Sequence, residues 1–309
     1  MQPRQQSLSP FPSDKLENPT DGLRVSKPTP KTPGHDLHLR LPAGHWQALE
    51  AHCARTGDSM AHVVRAALAD HLDLDHHTLW QISTSTAVVE GVSDGCMRVG
   101  DLRQHGDFGL GTFDHLDGEG ILLGDQCWQA RADGSLSLAP DDELTPFFVV
   151  TEFQADAVHH WSTIQGCGDL WGRLDQLRSG NNIFMAFRLR GVFQRLEVRS
   201  VSAVESGVNF VQVAQDQTLF PLQEVSGTMV GFWTPSYASS INVPGYHFHF
   251  VSDDRRHGGH VLENGDLQVQ QLTVEVQRES DLRLVLPQTK AFLEADLSRD
   301  PTSALKISE

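Results

Sequence analysis

Two histidines alternate with aromatic residues in Tyr246-His-Phe-His-Phe250, and a third follows a short polar stretch in Gly258-Gly-His260. Neutral imidazole is a common ligand of zinc-like divalent ions. Three such ligands leave coordination positions for water or substrate, the arrangement that Lewis-acid catalysis requires. His257 is a further donor, but it sits within the polar stretch and ranks behind His247, His249 and His260. The bland alternative is a set of half-buried, hydrogen-bonded histidines, and His-X-His alone does not decide between the two.

The elements that must position these rings follow from the pattern. Side chains two apart in a strand share a face. His247 and His249 therefore project one way, and Tyr246, Phe248 and Phe250 the other. Residues 252–259 are turn-forming and return His260 on an adjacent strand. From Leu79 onward, short apolar stretches rich in β-branched and aromatic residues recur between Gly and Asp clusters. They are Ile82–Val92, Phe147–Phe153, Ile183–Phe193, Thr228–Trp233, Tyr246–Ser252, Leu272–Val276 and Leu282–Pro287. Some alternate and some are continuous, which predicts mixed sheets with both wet and covered faces. Helical stretches are few: roughly 155–163, 169–178 and the last ten residues. The fold class is α+β, a β-sheet-rich domain over 76–309.

Several motifs resemble the alpha-acetolactate decarboxylase family, in the family's order. They are Leu79-Trp-Gln-Ile-Ser-Thr84, His105-Gly-Asp-Phe-Gly-Leu-Gly-Thr-Phe113, Leu116-Asp-Gly-Glu119, Thr145-Pro-Phe-Phe148 and Arg188-Leu-Arg-Gly-Val-Phe193. Gly227-Thr-Met-Val-Gly-Phe-Trp-Thr-Pro235, Ile241–Phe250 and Gly258–Val261 complete the set. The resemblance covers about residues 78–300. It implies decarboxylation of 2-acetolactate to acetoin and CO2 through a metal-stabilised enediolate, with Zn2+ held by His247, His249 and His260. It also implies catalytic roles for Glu119, Arg188 and Thr112, and places a second catalytic Glu on Glu309, the last residue. Chemically, Arg188 would hold the substrate carboxylate, a Glu would protonate one face of the enediolate, and Thr112 would bond a substrate oxygen. No organic cofactor is needed, because the substrate's own carbonyl is the electron sink.

The first quarter of the chain has a different character. Residues 1–34 are rich in Pro, Ser, Thr and Lys and read as a disordered arm or linker. In 35–73, Asp36–Leu41 alternates as a strand, and Trp46, Leu49 and Cys53 mark a helix ended by Gly57. Asp58 or Ser59 caps a second helix through Met60, Val63, Val64, Ala67, Leu68 and Leu72. This β-α-α pattern resembles a ribbon-helix-helix segment, which implies pairing with a second copy. A homodimer is therefore expected. In DNA-binding members of that class the ribbon enters the major groove, which would put His38 and Arg40 on its outer face. That reading makes the chain a DNA-binding regulator with a metal-binding sensory domain, the runner-up.

Charge counts against the runner-up. The 309 residues hold 24 Lys+Arg and 40 Asp+Glu, a net of -16. Residues 1–72 hold 8 and 7 of these, so they carry almost no net charge to drive DNA binding. Eight of the 16 histidines fall between His35 and His77, scattered over the extension, and read as incidental to the chemistry. No apolar run suits a membrane span, and no secretory h-region opens the chain. Cys53, Cys96, Cys127 and Cys167 lack CxxC spacing, as expected of thiols in a reducing cytoplasm.

Overall fold

The structure, a computed structural model, describes residues 37–72 and 76–308. The arm expected at 1–34 lies outside the described residues.

Two helices come first, α1 (Ala43–Thr56) and α2 (Met60–Leu72). Gly57 stops α1 in the left-handed conformation (φ 77°), where a side chain would be strained, and its N–H bonds the Cys53 carbonyl at 2.8 Å. Ser59 caps α2: its Oγ accepts from the His62 N–H at 3.1 Å. The expected strand before them is not formed. Residues 37–42 carry no regular element, and Leu37 and Leu39 are 70% and 66% exposed. A ribbon strand takes its ladder bonds from a second chain, so one chain alone gives it no partner. The helix pair is present, and the ribbon-helix-helix architecture is not shown.

The first sheet is laid down by β1 (Thr78–Ile82), β3 (Phe108–Thr112), β4 (Glu119–Leu123), β5 (Gln126–Ala130), β6 (Leu136–Leu138) and β8 (Phe148–Thr151), with β2 (Met97–Arg98) and β7 (Leu144–Thr145) pairing separately. The second is built from β9 (Ala157–Gln165), β10 (Phe184–Ser200), β11 (Thr218–Thr234), β12 (Gly245–Ser252), β13 (Gly258–Val261) and β14 (Leu267–Glu279). β15 (Asp281–Val285) returns to the first sheet and runs parallel to β1. The first sheet has the order β15-β1-β8-β3-β4-β5-β6, and the second β11-β12-β13-β10-β14-β9. β10 also pairs with β11, so β10 to β13 close into a ring.

Side-chain parity explains the packing. Phe187, Phe193, Met229, Phe248 and Phe250 fill one face of the second sheet, together with Leu170 and Leu174 of the helix Cys167–Leu177. Each buried Phe contributes about 1.5–3 kcal/mol relative to exposure. Ala186, Val230, Phe232 and Val251 on the other face meet Leu110, Ile121, Phe147 and Val149 of the first sheet. Both sheets therefore bury their facing sides against each other, and any polar group between them must be bonded.

Two local expectations need correction. Residues 155–163 are not helical: β9 occupies Ala157–Gln165 as an edge strand beside β14. Only Ile164 in it is buried, so no apolar period announces the strand. The apolar stretch at 82–92 is not one strand either. Thr84 caps the short helix α3 (Ser85–Val89), its side chain accepting from the Ala87 N–H at 3.2 Å. The helix expected at 169–178 is present at Cys167–Leu177, and the one in the tail at Thr302–Ser308. All four cysteines are free, and among the described residues no helix is long and apolar enough to cross a membrane.

Candidate active site

His247 and His249 project from β12 toward the first sheet, as alternation requires, while Phe248 and Phe250 point into the opposite core. β12 pairs with β13 so that His249 faces His260 across the ladder. Cross-strand partners share a face, and ring centroids of the three histidines lie 4.9–5.2 Å apart. The Nε2 atoms of His247 and His249 are 3.1 Å apart. All three rings are buried.

The carbonyl of Gly120 fixes the tautomer of His249. A carbonyl can only accept, so Nδ1 carries the proton and donates at 2.9 Å, leaving the Nε2 lone pair toward the other rings. Burial, with the neighbouring His260 and the Arg199 charge, pushes His249 well below its ordinary pKa. Burial and Arg199 do the same to His260. Both are therefore neutral near pH 7, the form that binds a metal. The set fits a zinc-like ion. Ligand bonds of about 2.0–2.1 Å in a tetrahedron put donor atoms about 3.3 Å apart, close to the 3.1 Å between the two Nε2 atoms.

Glu119 arrives from the first sheet at the start of β4, directly opposite Thr112 of β3. Its Oε2 is 3.4 Å from His249 Nε2, and its Oε1 accepts from Arg199 Nη1 at 2.5 Å. The hairpin between the two strands turns at Gly118 (φ 83°), where a Cβ would collide with the Ala130 carbonyl. Thr112 donates its hydroxyl to the Gly118 carbonyl at 2.8 Å, which holds that turn against the site. One cavity is lined by Thr112, Glu119, Arg199 and the three histidines on its polar side. Val88, Leu116, Phe147, Phe210, Val243 and Leu305 form its apolar wall. It suits a small anion with methyl groups: a guanidinium and imidazoles on one side, hydrocarbon on the other.

A family model described as alpha-acetolactate decarboxylase matches residues 79–299, more than two thirds of the chain. The chain belongs to the alpha-acetolactate decarboxylase family. It is an enzyme of that kind, a carboxy-lyase. It is similar to the alpha-acetolactate decarboxylase of Bacillus licheniformis, 32% identical over 75% of this chain and 91% of that protein. It is 36% identical to that of Methylococcus capsulatus over 80% and 95%. The crystal structure of alpha-acetolactate decarboxylase from Bacillus subtilis strain 168 superposes with a TM-score of 0.72 at 32% identity, covering 75% of this chain and 99% of that one.

For this member of the family, the structure brings together His247, His249, His260, Glu119 and Thr112. It does not bring Arg188 to them. Arg188 makes two bonds to Glu275, at 2.8 and 2.7 Å, and lies over the Phe153 ring at 4.6 Å. Burial pushes the Glu275 carboxyl up, but the guanidinium groups of Arg188 and Arg190 pull it net below the usual range. The arginine in the cavity is Arg199, eleven residues further along the same strand. Arg199 is the residue that sequence reasoning missed. β10 carries four arginines, 188, 190, 195 and 199, and an extra residue on β10 between Phe193 and Arg195 changes which of the later ones face the first sheet. Glu309 lies outside the described residues. Leu305, four residues earlier, is buried in the cavity wall.

Proposed function

We propose that the protein decarboxylates 2-acetolactate to acetoin and CO2, with a zinc ion held by His247, His249 and His260. The observation that carries this reading is the convergence of three buried imidazoles, Glu119 and Arg199 on one small cavity, in a chain of this family. When bound, a divalent ion supplies Lewis acidity to the adjacent carbonyl and hydroxyl oxygens of a 2-hydroxy-3-keto acid.

The chain's own residues do the rest. Arg199 replaces Arg188 as the group that holds the substrate carboxylate, through charge-assisted hydrogen bonds. The apolar wall takes the two methyl groups and excludes water, which strengthens every charge interaction inside. Loss of CO2 leaves an enediolate. Glu119, bonded to Arg199, accepts the substrate hydroxyl proton and returns it to one face of the enediolate carbon, and solvent supplies the one proton that the net reaction consumes. Thr112, whose hydroxyl hydrogen is held by Gly118, positions the turn that carries Glu119. Glu309 is a second proton carrier in this proposal, supported by Leu305 on the same tail. Free thiols favour a reducing cytoplasm. The exposed Trp46 and Leu68 of the helix pair favour a homodimer. No observation among the described residues favours the DNA-binding alternative.

The test is acetoin formation from racemic 2-acetolactate by the zinc-loaded chain, by the chelated chain, and after zinc is restored. The expected result is activity that disappears and returns with the ion. No acetoin from the loaded chain removes the proposed reaction, and full activity without metal removes the role of the ion.

A further inference from the structure

A second group of histidines lies outside the segment that matches the family. His62 of α2 meets His76 and His77 just before β1, with ring centroids 3.9–5.3 Å apart. Asp156, just before β9, joins them. Three donor atoms form a small triangle. His62 Nδ1 is 3.2 Å from His77 Nε2 and 3.3 Å from Asp156 Oδ1, and His77 Nε2 is 3.5 Å from Asp156 Oδ1. A tetrahedral ion with bonds of about 2.0–2.1 Å sets its ligand atoms about 3.3 Å apart, so the triangle matches one face of such a site.

The surroundings orient each donor. Arg278 uses its backbone twice: its N–H bonds Asp156 Oδ2 at 2.9 Å, and its carbonyl accepts from His77 Nδ1. These bonds turn Asp156 Oδ1 and the His77 Nε2 lone pair toward the same point, as outer partners of metal ligands do. Asp58 stands 4.0 Å behind His62 Nε2. A buried Nε2 of His76 has no hydrogen-bond partner, and a ring nitrogen of His76 lies within 4.8 Å of its two histidine neighbours. Hydrogen bonding alone leaves this cluster short of donors: Arg65 Nη2 reaches Asp156 Oδ1 at 3.2 Å, but nothing reaches the buried His76 nitrogen. An open cleft lined by His76, His77, Gln104, Glu152 and Gln154 gives an ion a way in.

We infer that His62, His76, His77 and Asp156 form a second site for a zinc-like divalent cation, which fastens the N-terminal helix pair to the decarboxylase sheets. Three imidazoles and one carboxylate fill a tetrahedron and leave no position for substrate, so the site is structural. The ion would add to the docking contacts already present, the Arg65–Asp156 and Arg278–Asp58 pairs. α2 buries only Ala69 against its surroundings, too little apolar area to dock it firmly.

The test uses the full chain and Co2+ alone, whose visible spectrum reports tetrahedral coordination. In the variant His247→Ala/His249→Ala, which disables the first cluster, one Co2+ per chain is expected with a strong tetrahedral band. Adding His62→Ala should remove both the ion and the band. Alanine is a good helix former at this half-buried position, so α2 should survive the change. Because the double variant could misfold, metal content is also measured in the otherwise unaltered chain. Two ions per chain are expected, falling to one in His62→Ala. One ion per chain, unaffected by His62→Ala, overturns the proposal and leaves a hydrogen-bonded cluster closed by Arg65. So does Co2+ uptake by the triple variant.

Discussion

The two histidine clusters use the same chemical parts and are built differently. His247, His249 and His260 stand on adjacent strands of one sheet, and a second sheet supplies Glu119 and the Gly120 carbonyl. Every one of these rings is buried, and their spacing is set by ladder hydrogen bonds. His62, by contrast, reaches its cluster from a helix whose docking rests mainly on polar contacts, and only His77 there is fully buried. A site set in paired strands is held to the precision that chemistry needs. A site shared between a helix and the strands it docks on couples its occupancy to that docking. The first cluster should therefore govern turnover, and the second should govern how the helix pair is held.

The largest effect that tests this division is His249→Ala. It should cost about 1000-fold or more in kcat, as expected when several kcal/mol of Lewis-acid stabilisation is lost, and reduce the metal bound at the first cluster. Near-normal acetoin production would break the division outright. Next come the two arginines. Arg199→Ala should lower kcat/KM by about 100-fold, since it removes a buried, charge-assisted contact and strips Glu119 of its partner. Arg188→Ala, a half-exposed ion pair on the same strand, should cost less than about threefold. Steady-state kinetics with the opposite ranking would return the substrate-holding role to Arg188.

A smaller effect is expected at the second cluster. Asp156→Asn keeps the size of the side chain but removes its charge. It should speed hydrogen exchange of α2 amides about tenfold while leaving β12 amides unchanged. Equal changes in both elements would mean that the two regions unfold as one. A pH effect of a different kind concerns Glu279, fully buried on β14 and pushed up to about 8 by burial. Its folded pKa lies above the ordinary 4.5, so the folded chain keeps a proton that the unfolded chain releases. Stability should then fall as pH rises from about 4.5 to 8, by on the order of 1 kcal/mol per pH unit. In Glu279→Gln that component should vanish. Urea unfolding at pH 5 and pH 8 measures it, and an identical slope in both chains would rule out this titration.

What was legible in the sequence has a common property: it depends on residues close together in the chain. Alternation alone assigns the faces of Tyr246–Phe250, because a strand's side-chain period is fixed at two. The turn formers after Ser252 return His260 as expected, and Gly57 and Ser59 end and begin the two early helices. Glu119 and Thr112 are identified by their motifs, and β3–β4 pairing sets them side by side. β9 escapes detection because both its faces are largely wet, so no apolar period marks it. The strand expected at 36–41 is legible as a pattern but has no partner among the described residues.

Tertiary structure alone decided which arginine enters the cavity. Arg188 and Arg199 are an odd number of residues apart, so simple alternation would put them on opposite faces. The extra residue on β10 between Phe193 and Arg195 breaks that parity, and the ring closed by β13 brings Arg199 opposite His260. The same holds for the histidines between 35 and 77, which look scattered in the sequence. Three of them, His62, His76 and His77, are brought together only when α2 docks beside the start of β1. The sequence by itself determined the donor types and the local faces, because these depend on residue identity and a fixed backbone period. Which donors meet depends on strand pairing and helix docking, where residues far apart in the chain become neighbours.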